Sequence, residues 1–141
     1  MTAKRIFVLL GVGGLLTAVF WYFIWGHDSY RETNAVWSIQ GLCTSATDGA
    51  ALSGAQVRAS FVGPITLQLI LHHGAPSRTN MVARTDVRGR FELAGEGATA
   101  TIEASADSYD PCMWHGIARG KVTHVDTNLT FSLAPAPSSA Q

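Results

Sequence analysis

Between Val36 and Ala134 no stretch of twelve residues keeps a helical period. Apolar residues recur instead at every second position, in short runs divided by Gly, Pro, Asp and Asn. A period of two puts alternate side chains on opposite faces of an extended chain, so each run has one dry face and one wet face. Sheets built from such runs must bury their dry faces against each other. The candidate strands are 36–44, 55–62, 65–73, 80–85, 90–94, 99–106, 117–125 and 128–134. Phe91 and Leu93 share a face with Glu92 opposite. Ile102 and Ala104 oppose Glu103, and Leu129, Phe131 and Leu133 oppose Thr130 and Ser132. The expected fold is all-β, a small Greek-key-type β-sandwich of about seven strands.

A different texture precedes it. Residues 1–5 carry Lys4 and Arg5, and "IFVLLGVGGLLTAVFWYFIW" (6–25) then runs twenty residues without a charge. As a helix it would be about 30 Å long, enough to cross a bilayer's hydrocarbon core. It closes on Phe20, Trp21, Tyr22, Phe23 and Trp25, aromatics suited to the membrane–water interface. A cleaved signal peptide has a shorter apolar region and a small-residue cleavage site, and "GHDSYRET" offers none. The run therefore reads as one N-terminal transmembrane helix with the basic N-terminus in the cytoplasm. Residues 26–35 read as a stalk, 36–135 as an exported sandwich and 136–141, Pro-rich and small, as a loose tail. In a two-membrane bacterium this means the inner membrane, with the sandwich in the periplasm.

Two cysteines, Cys43 and Cys112, fall in the exported part, where an even pair predicts a disulfide. A loop of roughly 70 residues closed this way contributes on the order of 4 kcal/mol in the chain-entropy model. Ten basic residues balance ten acidic ones, so nothing steers nucleic acid towards the chain.

"ARTDVRGRFELAG" (83–95) holds an acid and three arginines, yet every residue has a place in a hairpin. Asp86 can bond backbone groups two residues on, Gly89 can take positive φ, and Arg84, Arg88 and Arg90 are solvated flanks. Together with "IQGLCTSATDGAALSGAQVRA" this stretch resembles the carboxypeptidase regulatory-like domain, of the transthyretin-like β-sandwich type. Asp48, Gly49, Leu52, Gly54, Ala55 and Val57 approximate that family's first turn with slightly altered spacing. Thr85, Asp86, Gly89 and Phe91 fit its second motif, with Ala83 in place of the first Thr. "TIEASADSYDP" matches a later strand and turn, with Ser108 where the family has glycine, and "NLTFSLAP" matches the closing strand. The resemblance implies a scaffold or interaction module and no activity. The Tyr-Arg-Gly-Ser ending of the hydroxyisourate-hydrolysing branch and the His-x-x-Glu zinc motif of the carboxypeptidases are both missing from this sequence.

"ITLQLILHH" departs from that pattern. An apolar strand carrying Leu67, Leu69 and Leu71 on an exposed sheet edge would invite pairing with another chain. Chemistry has less support. Cys112, Met113 and His115 in "CMWH", with His72, His73 and His124 elsewhere, are ligand types that copper selects, but their spacing matches no zinc pattern. No nucleophile elbow or phosphate loop occurs outside the apolar run. The reading is a single-pass membrane protein with no cofactor. It presents a non-enzymatic interaction or structural module to an unidentified envelope protein, and the alternative is a ligand- or copper-handling domain.

Overall fold

The alternating texture folds into seven strands in the computed structural model, which describes residues 13–21, 32–65 and 74–137. They are β1 (Ala35–Ser45), β2 (Gln56–Val62), β3 (Arg78–Arg84), β4 (Arg90–Gly97), β5 (Thr99–Ser105), β6 (Cys112–Ile117) and β7 (His124–Leu133). One sheet has the order β4-β1-β7, with β1 antiparallel to β4 and parallel to β7. The other has the order β3-β2-β5-β6 and is antiparallel throughout. The all-β expectation holds, with two sheets enclosing one core.

The inward halves of the strands make that core. Trp37, Ile39 and Cys43 come from β1, Val57, Ala59 and Phe61 from β2, and Phe91 and Leu93 from β4. Ala100, Ile102 and Ala104 come from β5, and Phe131 and Leu133 from β7. Trp37 buries its ring and donates its indole N–H to the Gly97 carbonyl at 2.8 Å, so the one polar atom is satisfied. Trp114 of β6 meets it edge-on, with ring centroids 6.1 Å apart. The Phe91 ring lies over its cross-strand partner Gly41, where any Cβ would collide with it.

Two readings need correction. The stretch 83–95 is a turn but not a hairpin. Asp86 N–H donates to the Arg90 carbonyl and Gly89 N–H to the Asp86 carbonyl, both at 2.9 Å, and Gly89 has φ +73°. The flanking strands then part, because β3 pairs with β2 while β4 pairs with β1. The segment is an arch that carries the chain from one sheet to the other. Period two specifies which side chains go inward but not which strand lies alongside. The second correction concerns 117–125. The strands there are β6, ending at Ile117, and β7, starting at His124, and between them Gly120 turns the chain with φ +72°.

The sandwich also begins earlier and ends later than expected. Glu32 bridges to Arg119, Thr33 N–H donates to the Ala118 carbonyl, and Ala136 N–H to the Ser108 carbonyl. Residues 13–21 form a helix in the middle of the expected 6–25 anchor. Among the described residues, no helix is long and apolar enough to cross a membrane. Both ends of that anchor, most of the 26–35 stalk and residues 66–73, with Leu67, Leu69 and Leu71, lie outside the described residues.

Candidate functional site: open edges and shallow clefts

The four-stranded sheet ends in β3 on one side and β6 on the other. Ladder parity fixes which backbone groups each edge presents. Thr85 N–H donates to the Ala55 carbonyl and Gly63 N–H to the Ser77 carbonyl, so the odd-numbered residues of β3 bond to β2. Arg78, Asn80, Val82 and Arg84 therefore turn their N–H and C=O groups outward. The same reasoning applies to β6. Ala118 N–H donates to the Ala98 carbonyl, in phase with Gly116↔Ala100 and Trp114↔Ile102. Met113, His115 and Ile117 face outward there. Edges like these, unpaired among the described residues, are templates for a further strand.

Side chains on the outer face form rows across the sheet. One row is Val82, Arg58, Glu103 and Met113, and the next is Asn80, Ser60, Thr101 and His115. Charge and hydroxyls occupy the middle, while Val82 and Met113, 60% and 64% exposed, stand at the margins.

The ligand cluster suggested by "CMWH" does not assemble. As part of β6, Cys112 turns towards the core while Met113 and His115 point outward. His115 Nδ1 meets the Thr101 hydroxyl at 3.0 Å, and His124 pairs with Asp126 at 3.0 Å on an exposed surface. No group of three or more His, Cys, Asp or Glu suited to a metal occurs among the described residues. His72 and His73 lie outside those residues. The signal for β6 was present in the sequence, as Cys112, Trp114 and Gly116 alternate with Met113, His115 and Ile117.

Nor is the expected disulfide present, since Cys43 and Cys112 are free thiols. Cys112 packs against the core cluster that includes Cys43. Burial first, and then the nearby Cys112, push the Cys43 thiol from its ordinary 9.0 up to about 11.

The clefts are open and polar. One of about 470 Å³ lies where the β2, β3 and β5 ends meet, lined by Gln56, Arg84, Asp107 and Tyr109 among others. A second, about 380 Å³, opens on the seam between β3 and β4, with Asp86, Arg90 and Glu92 in its wall. Asp86 serves its turn. One carboxylate oxygen accepts the Arg88 and Arg90 amides, each at 2.8 Å, and the Arg90 backbone bond chiefly holds the carboxyl below its usual range. Neither these clefts nor a third beside Asp126 is lined by histidine or cysteine.

No family model and no curated protein matches the chain. Among solved structures it is similar over 74% of its length to 3-chlorocatechol 1,2-dioxygenase of Rhodococcus opacus 1CP, at TM-score 0.48 and 13% identity. It is similar over 79% to catechol 1,2-dioxygenase of Pseudomonas arvilla C-1, at 0.49 and 14%. For the C-terminal domain of the shaft pilin spaA of Lactobacillus rhamnosus GG the values are 72%, 0.44 and 15%, with 99% of that domain covered. The chain spans only 61% and 56% of the two dioxygenases. Likeness at this level, with every TM-score under 0.5 and identity at 15% or below, says nothing of activity.

Proposed function

We propose that this chain is a membrane-anchored, extracytoplasmic β-sandwich of the carboxypeptidase regulatory-like kind. It acts as a non-enzymatic interaction or structural module, as an accessory subunit of a cell-envelope complex. The observation that carries the reading is the open edge of the four-stranded sheet. Three or four outward-facing residues on each margin have backbone groups that no described residue pairs with. The uncharged 6–25 run and the basic residues before it support the anchor, and the apolar "ITLQLILHH", next in sequence to β3, supplies partner-binding side chains at Leu67, Leu69 and Leu71.

Anchoring also gives the sandwich a direction. The chain enters beside Arg119, at the end where β6 stops and β7 starts. The Gln56, Arg84 and Tyr109 cleft sits at the opposite end, which would face away from the bilayer. In an oxidising compartment the neighbouring Cys43 and Cys112 thiols would join as a disulfide. The full chain is expected to form larger species in native gels, and replacing Leu69 or Leu71 with Lys should abolish them, with the far-UV circular dichroism spectrum unchanged. Assembly that survives both substitutions would remove this edge as the binding surface.

A further inference from the structure

We propose that the outward edge of β6 is a self-pairing surface. A second copy of this chain adds its own β6 antiparallel to the first, joining two four-stranded sheets into one of eight strands. The inference rests on the interaction-module reading and names the partner for one of its edges.

Between Met113 and Ile117 nothing among the described residues pairs with the outer side of β6. The outward N–H and C=O groups belong to Met113, His115 and Ile117. An antiparallel pairing centred on His115 sets His115 against its own mate and Met113 against Ile117 of the second copy. Every outward group then falls in a hydrogen-bonded pair, and each such pair exchanges two bonds. Met113 and Ile117, 64% and 39% exposed, would cover each other across the new ladder.

Charge selects both the partner and the direction. Cys112–Ile117 carries no formal charge, whereas natural edges are commonly blunted by charged side chains. Asp107 and Asp110 precede the strand and Arg119 and Lys121 follow it, all exposed and none in an ion pair among the described residues. Antiparallel pairing directs the acidic flank of one copy, Asp107 and Asp110, towards the basic flank of the other, Arg119 and Lys121, at both ends of the ladder, while Glu32 and Ala134 hold the backbones at Arg119 and Asp110 within their own sandwich. Parallel pairing would set like charges together. Of the other edges, β3 and β4 fit a second copy less well. On β3, antiparallel self-pairing opposes Arg78 to Arg84, and β4 turns Arg90, Glu92 and Glu96 outward, charges that a dry ladder would have to desolvate. A ladder this short buries well under the ~1,200 Å² typical of stable complexes. Pairing is therefore weak between free copies and favoured where anchoring in one membrane raises the effective concentration.

The test is disulfide trapping in the full chain, reconstituted in lipid vesicles. Paired Cα atoms roughly 5.5 Å apart are within disulfide reach. Under mild oxidation, His115→Cys should give a dimer identified by its 115–115 linked peptide, at least about tenfold faster than Asn80→Cys at the centre of the β3 edge. Thr101→Cys, one strand inward and about 14 Å from its mate by strand spacing, should not trap. Adding Arg119→Glu should slow the His115→Cys reaction severalfold, and combining it with Asp110→Lys should restore the rate. Met113→Lys, at an exposed site that leaves folding intact, should slow it as well. Equal rates at positions 115 and 80, or no rescue by the charge swap, overturns the proposal. If position 115 fails to trap while wild-type assembly persists and is lost in Leu69→Lys, self-pairing falls and the interaction reading stands. If no assembly occurs at any edge, both fall.

Discussion

Thr85 joins two parts of the chain thirty residues apart. Its buried hydroxyl donates to the Leu52 carbonyl at 2.5 Å and accepts the Ala55 amide at 2.9 Å, fastening the loop before β2 to the arch after β3. Thr85→Val keeps the shape but leaves both backbone groups without a partner in a buried site. It should cost about 1–3 kcal/mol in chemical denaturation, and Thr85→Ser should cost much less. Cys43 makes a second residue-scale case. A thiol whose pKa is higher folded than unfolded stabilises fully below the unfolded value, and that contribution disappears as pH rises through the folded one. For Cys43 in the reduced protein the window runs from about 9 to about 11, so stability should fall across it. A Cys43–Cys112 disulfide would abolish this dependence. Thermal melts between pH 8 and 11, with and without reductant, separate the two states. Ser108 shows a third constraint. It sits at φ +67°, in the left-handed region where the resembled family places glycine.

At the scale of elements, the arch around Gly89 holds the two sheets in relation. Gly89 has φ +73°, and a Cβ there would stand 2.5 Å from the Cys43 carbonyl oxygen, the carbonyl of a core strand. Gly89→Ala should therefore cost more than the ~1–2 kcal/mol of the left-handed conformation alone, measured as a shift in denaturation midpoint. The sequence was informative about such turns because their chemistry is local. Asp48 caps the Ala50 amide and Asp86 the Arg88 and Arg90 amides within a few residues. Alternation likewise revealed which side chains of β4, β5 and β7 face inward. Pairing partners were not legible, since the same Phe91 and Leu93 satisfy a hairpin or an arch. β6 was masked by its own composition, because "CMWHGI" invites a metal reading that the pleat of the strand then divides between two faces.

For the whole molecule, the tie of Glu32 to Arg119 shortens the expected stalk. Only residues 26–31 remain between the apolar run and the sandwich, a reach of at most about 20 Å. A sandwich held that near a bilayer would meet partners that share the membrane, and the margins left open among the described residues, rather than its clefts, would be the surfaces offered to them. Short edges would suit this role, because the proposed anchoring would supply the concentration that their small area cannot. The most direct test is the mass of the full chain extracted from its own membrane with its surrounding lipid. Masses above the monomer, either multiples of this chain or this chain plus another envelope protein, are the expected result. A monomer at every concentration, firmly in the membrane fraction yet bound to nothing, would contradict the interaction-module reading.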